Sequence, residues 1–249
     1  MKERLTIIDF VEKYTAAYAD HVFLREKVDN VWTETTYRET REQAHVIGAG
    51  LMALGMQKGE RAALLSQGRN LWVTGELGIL YAGGVNVPLS IKLEESNDLL
   101  FRIQHSDAQY IMTSEQQLPK IRKILPDCPN VRYVIVFDPL EEYQDREIGI
   151  QEVMDKGRAL LASEPEKFVE RYQSVGPDDY ANISYTSGTK IGQFVHHIIG
   201  RFAEPFGLFH YERKRKTHQY AEQVERQQDE CFIVLEERID KKNIHRQAR

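Results

Sequence analysis

Residues 110–137 read YIMTSEQQLPKIRKILPDCPNVRYVIVF. The stretch opens on Tyr110 to Thr113, four residues of strand character, and closes on Arg132 to Phe137, the strongest strand pattern in the chain. Between them Leu118, Ile121 and Leu125 recur at helical spacing. Ser114 and Gln117 have the spacing of a capping box, which predicts a helix starting there. Two short apolar strands linked by a helix form a crossover, the connection a parallel pair requires.

The same alternation continues outward. Upstream, Arg61 to Leu65 (RAALL) and Gly84 to Leu89 (GVNVPL) read as buried strands, the second stopped by Pro88. Asn70 is placed to cap the helix between them, and Ser96 to cap one carrying Leu99, Leu100 and Ile103. Thr36 and Glu39 make a Thr-x-x-Glu capping box ahead of Ala44, Ile47, Leu51 and Leu54, and Gly55 suits a left-handed helix end. VFLREKVDNVWTETTY, with Asp29-Asn30 at its centre, reads as a β-hairpin, and the N-terminal MKERLTIIDFVEKY as a helix. Downstream, Asp138 to Gln173 reads as a polar, helical excursion without a clear site, and Tyr180 to Tyr185 as one more strand. The predicted class is α/β, a mostly parallel sheet flanked by helices.

Composition narrows the functions. The chain of 249 residues is 41% hydrophobic and 29% charged, as a globular domain is, and its net charge of −5 argues against a general nucleic-acid binder. No apolar run is long enough to span a bilayer, and the N-terminus lacks a signal-peptide pattern, so the expected location is the cytoplasm. Cys128 and Cys231 form no CxxC pair and suggest neither a disulfide framework nor a zinc site. From Lys190 onward there are 12 Lys+Arg against 9 Asp+Glu, net +3, which leaves −8 for residues 1–189. Five of the eight histidines also lie after Lys190. His196-His197 lack metal-ligand spacing, and ERKRK, with acidic residues close by, reads as a solvated helix face.

The chemistry is concentrated in Thr186-Ser187-Gly188-Thr189. A phosphate-binding loop needs backbone N–H groups turned inward and little side-chain bulk; Gly permits the turn, and Ser and Thr hydroxyls add donors. The cluster follows a predicted strand, and open α/β sheets bind ligands beyond the carboxyl ends of their strands. It is not a Walker loop, since no G-x-x-x-x-G-K-[ST] occurs. Taken alone, a strand ending in a Ser/Thr/Gly turn is common.

The ordered set of segments is more specific. TYRETREQAHVIGAGLMALGMQKGERAALL, NLWVTGELGILYAGGVNVPL, YIMTSEQQLPKI and DDYANISYTSGT resemble, in that order, the N-terminal part of the adenylate-forming superfamily, specifically the long-chain fatty acyl-CoA synthetases. The resemblance covers residues 1–189. It implies formation of an acyl-adenylate from ATP and a fatty carboxylate, then transfer of the acyl group to CoA, with Mg²⁺ assisting. On this chain it makes Thr186, Ser187, Gly188 and Thr189 the cradle for the departing pyrophosphate, assigns no catalytic acid or base, and leaves the metal ligands unknown.

Beyond Thr189 the resemblance stops. The family continues through a small residue to Pro-Lys-Gly; here Ile191, Gln193 and Phe194 stand instead, and Lys190 is a candidate substitute cation. No G-x-T-E or T-G-D segment follows. Residues 1–189 thus read as a partial AMP-binding domain and residues 190–249 as an atypical tail, a helix plus a short strand, of frameshift or fusion origin. The expected function is that of a truncated fatty acid–CoA ligase family member with little or no activity alone. The alternatives are a non-catalytic interaction protein on the same platform, and an adenylate-forming ligase for aryl or amino-acid substrates. An incomplete sheet is also expected to expose apolar surface and to promote self-association.

Overall fold

The computed structural model describes residues 5–93 and 98–185. Helix α1 (Ile7–Tyr18) is opened by Thr6, whose hydroxyl accepts the Asp9 N–H while the Asp9 carboxylate accepts the Thr6 N–H. Strands β1 (Val22–Val28) and β2 (Val31–Thr36) form the expected hairpin. Asp29 and Asn30 between them have φ of 49° and 63°, both positive, as a two-residue type I′ turn requires. The Thr36–Glu39 capping box forms as predicted and starts α2 (Tyr37–Ala53), and Gly55 just past that helix has φ of 92°.

The remaining elements build the sheet. Strands β3 (Arg61–Leu65), β4 (Val85–Pro88), β5 (Ala108–Thr113), β6 (Tyr133–Val136) and β7 (Glu147–Gly149) lie in the order β4-β3-β5-β6-β7, every neighbouring pair parallel. Helices α3 (Asn70–Tyr81), α4 (Leu100–His105) and α5 (Leu118–Ile124) make the crossovers; α6 (Ile150–Ser163) and α7 (Pro165–Gln173) follow β7.

Period-two alternation sorts the strand side chains into two cores. Ala63, Leu65, Val87, Ile111, Val134 and Val136 face Ile103 of α4 and Leu118, Ile121 and Ile124 of α5. Ala62, Leu64, Tyr110, Met112 and Ile135 face Ile47 and Leu51 of α2, Ile79 of α3 and Val153 of α6. A third cluster, with Ile8, Ala44, Leu77, Tyr81 and Phe168, ties α1 and α7 to the outside of that helical layer. Beside it the Glu12 carboxylate accepts a two-pronged bond from Arg41 (2.8 Å on each arm) and the Tyr81 hydroxyl (2.7 Å), with His45 Nε2 at 3.1 Å.

Helices α2 and α6 touch backbone to backbone. A Cβ at Gly157 would lie 1.9 Å from the Val46 carbonyl oxygen, and one at Gly50 2.2 Å from that of Val153. The opposite side of α1 is open. Phe10, Tyr14 and Tyr18 stack along it with centroids 6.2 Å apart at each step, and the ladder continues to His21 and Tyr37. Among the described residues no helix is long and apolar enough to cross a membrane.

Several local expectations are corrected. Asn70 does not cap α3; it is the first helical residue. Its N–H is accepted instead by the Glu26 carboxylate of β1 at 2.9 Å, so a distant strand caps the helix. Ser114 and Gln117 make no capping box: Ser114 donates to Gln67 Oε1 at 2.7 Å, and a 3-10 turn, Glu115–Gln117, precedes α5. The stretch after Asp138 contains β7 before its helices. Among the described residues the strand expected over Tyr180 to Tyr185 contracts to a parallel bridge, Asn182 to Asn86. The cap expected at Ser96 lies outside the described residues.

Candidate functional site

Chain direction across the sheet reverses at β3. The connection leaving β3 runs to β4 on one side; the chain then returns past β3 to β5 and continues to β6. The carboxyl ends of β3 and β5 therefore flank a topological switch point, where open α/β sheets form their ligand crevice. Polar side chains line this edge. Gln67 donates to Gln116 Oε1 at 2.5 Å and accepts from Ser114, and the Thr113 hydroxyl donates to the Leu65 carbonyl at 2.9 Å. Past β6, the Asp138 carboxylate pairs with Arg69 at 2.7 Å and accepts the Glu115 N–H at 2.9 Å. These groups satisfy one another and offer positioning rather than a nucleophile or a general base.

The approach to Thr186 runs along the outer edge of β4. The Asn86 N–H donates to the Ala181 carbonyl and the Ile183 N–H donates to the Asn86 carbonyl, each at 2.9 Å. The Ser184 hydroxyl donates to Asn182 Oδ1 at 3.0 Å. Because the pairing is parallel, the segment heads toward the carboxyl ends of the strands. Tyr185, the last described residue, is anchored against α4. Its hydroxyl lies 2.8 Å from His105 Nδ1, and Arg102 stacks over its ring at 5.4 Å. Burial raises the Tyr185 hydroxyl above its ordinary value, with the Arg102 charge acting in the opposite sense.

Under this edge lies a polar pair that sequence reasoning missed. Asn86 is fully buried in an otherwise apolar strand, and its Nδ2 donates to Glu76 Oε1 of α3 at 2.9 Å. Burial raises the Glu76 carboxyl above the ordinary carboxylate value, and the Asn86 amide only partly offsets it. The polar residue inside GVNVPL was the available signal.

The expected site residues Thr186, Ser187, Gly188 and Thr189, and the candidate cation Lys190, all lie outside the described residues. Among the described residues no group of three or more His, Cys, Asp or Glu is disposed to hold a metal ion. What the structure brings together is the parallel edge leading to the loop and the anchor at Tyr185.

Residues 11–190 match the family described as AMP-binding enzyme. Over 189 residues the chain is 27% identical to the medium/long-chain-fatty-acid–CoA/3-oxocholest-4-en-26-oate–CoA ligase of Mycobacterium marinum, covering 76% of this chain and 33% of that protein. It is 25% identical over 171 residues to the long-chain-fatty-acid–CoA ligase FadD15 of Mycobacterium bovis, covering 68% and 27%. The chain thus spans about a third or less of the length of these curated relatives. Its fold is similar to that of a long-chain-fatty-acid-CoA ligase (FadD1) from Archaeoglobus fulgidus, with a TM-score of 0.61 at 17% identity, over 75% of this chain and 35% of that one.

Proposed function

The chain belongs to the AMP-binding enzyme family, and we propose that it carries part of the nucleotide-binding half-site of an ATP-dependent fatty acid–CoA ligase. In that reaction a fatty carboxylate oxygen attacks the α-phosphorus of ATP. The bond to the bridging oxygen breaks, and pyrophosphate leaves. The CoA sulfur then attacks the acyl carbonyl carbon, and AMP leaves with the electron pair of the broken C–O bond.

On this reading the backbone N–H groups and hydroxyls of Thr186, Ser187, Gly188 and Thr189 hold the β/γ-phosphates as charge develops on them, and Lys190 is the candidate substitute cation. Mg²⁺, when bound, neutralises charge on the same phosphates. The proposed contribution of this chain is phosphate binding. The observation that supports it is the parallel pairing of Asn182 with Asn86, which directs the chain toward the strand ends where phosphate loops sit.

A truncated form is expected to bind ATP and to turn over little. Calorimetric titration with ATP tests the first part, and pyrophosphate release with ATP, Mg²⁺, palmitate and CoA tests the second. Heat of binding that Gly188→Val abolishes supports the loop assignment; a flat titration of the wild-type chain overturns it. Turnover at ordinary enzyme rates, about 1–10³ per second, refutes the view that the chain is catalytically incomplete.

A second reading, a non-catalytic binding platform, draws on the exposed Phe10–Tyr14–Tyr18 ladder. Aromatic rings exposed in series on one helix are characteristic of contact surfaces. It predicts a defined complex or self-assembly that Tyr14→Lys disrupts while leaving ATP binding unchanged.

A further inference from the structure

Asn86 does three things at once. Its backbone holds the Ala181–Ile183 segment through two hydrogen bonds, its Nδ2 donates to Glu76, and its Oδ1, fully buried, has no partner among the atoms described. An orphaned buried amide oxygen is destabilising, and a carboxylate withdrawn from water beside it adds a further penalty. One proton removes both. A protonated Glu76 donates its O–H to Asn86 Oδ1 while Oε1 continues to accept from Nδ2, closing a ring of two hydrogen bonds. From this geometry we infer that Glu76 and Asn86 form a neutral acid–amide pair, which makes Glu76 a positioning residue for the segment leading to Thr186.

The surroundings support a proton at this place. Burial lifts the Glu76 carboxyl, and among the described residues the Asn86 amide pulls it the other way. Glu12, Glu26, Arg61 and Arg171, on elements packed against α3, have partners other than Glu76. Glu12 of α1 binds Arg41 and His45 of α2. Glu26 of β1 takes the Asn70 N–H, Arg61 of β3 pairs with Asp107, and Arg171 of α7 donates to the Met56 and Ala82 carbonyls.

The sign of the pH dependence follows. A carboxyl whose folded value is raised binds its proton more tightly in the folded state. Its stabilising contribution is complete below the unfolded value near 4.5 and is lost as pH rises through the folded value. The Ala181–Ile183 segment is thus held best in acid and loosens toward alkaline pH. The link from that segment to ATP rests on the function proposed above; the pair itself does not.

Hydrogen exchange of the full chain, followed by NMR, tests the pair directly through the Ile183 amide, which donates to the Asn86 carbonyl. Its protection factor, corrected for intrinsic exchange, is measured from about pH 4.5 to about pH 8. In the wild type it is expected to fall about tenfold while the Leu64 amide of the central strand stays constant. Glu76→Gln, a permanently neutral side chain able to make the same two bonds, is expected to keep full protection with no pH dependence. Glu76→Ala is expected to be weakly protected at every pH. A wild-type profile flat in pH overturns the inference without needing any variant, and so does a Glu76→Gln profile that still falls. ATP titration at both ends of the range separates the two claims. The expected exchange profile without ATP binding leaves the pair standing and removes the phosphate-loop reading.

Discussion

Replacing Gly157 with alanine sets two opposed effects against each other at one site. In a helix interior, alanine is favoured over glycine by about 1 kcal/mol, so on propensity alone α6 gains. The new Cβ, however, would lie 1.9 Å from the Val46 carbonyl oxygen and 2.8 Å from the Gly50 nitrogen, well inside ordinary contact. Both obstacles are backbone, so no rotamer change relieves them, and α6 must move away from α2. That opens the seam in which Val153, Ile47 and Leu51 are fully buried. Overpacking of this kind costs about 1–3 kcal/mol, and a backbone obstacle places it at the upper end. The expected net loss is about 2 kcal/mol, or about 1 M in the urea midpoint for a slope near 2 kcal/mol per M. Urea titration by far-ultraviolet circular dichroism measures it. Gly75→Ala is the matched control, because its Cβ would first meet Met112 Cε, the free end of a flexible side chain, at 3.3 Å. That variant is expected to equal or exceed the wild type. A Gly157→Ala protein as stable as the wild type would refute the reasoning, as would equal midpoints for the two variants.

Three further outcomes are expected. Burial alone would raise the Glu12 carboxyl, but hydrogen bonds from His45, Arg41 and Tyr81 hold it at about 2; its contribution to stability is therefore present above pH 4.5 and fades toward pH 2, and Glu12→Gln should flatten that acid limb in thermal melts. Glu26→Ala removes the carboxylate that caps α3 and should cost about 1 kcal/mol in denaturant titration, with Glu26→Gln intermediate. Asn30→Gly relieves a side chain at φ of 63° and should raise the melting temperature slightly, whereas Asn30→Val should lower it, with Trp32 fluorescence reporting on the hairpin.

What could be read in advance was set by neighbours in sequence. Strand alternation at Ala62–Leu65 and Tyr110–Thr113, the Thr36–Glu39 box and the Asp29-Asn30 turn all depend on residues within a few positions of one another, and each forms in the structure. The misreadings involve distant partners. Asn70 has the composition of a cap, but Glu26, on a strand 44 residues earlier, already occupies the α3 N-terminus. Ser114 is diverted to Gln67 across the switch point. Three-residue β7 carries too little pattern to be seen, and its place is fixed by the two-pronged bond of Arg122 to Glu147, at 2.7 and 2.8 Å. At the candidate site the run-up to Thr186 reads in sequence as a strand, but among the described residues only the Asn182–Asn86 bridge forms there. The Glu76–Asn86 pair under it was not legible, because one member sits on a helix whose partner strand only the fold identifies.

The two margins of the sheet bear on how copies of the chain behave at high concentration. Among the described residues β7 is a margin of only three residues, and on the far side the outer edge of β4 is already engaged at Asn86 by Asn182. Long unpaired edges are the templates on which strands add and aggregates grow, and here each margin is too short or too occupied to act as one. Among the described residues a row of exposed rings lies on α1. Crowded copies are expected to gather through those rings, in clusters that dilution disperses and that leave amyloid dyes dark.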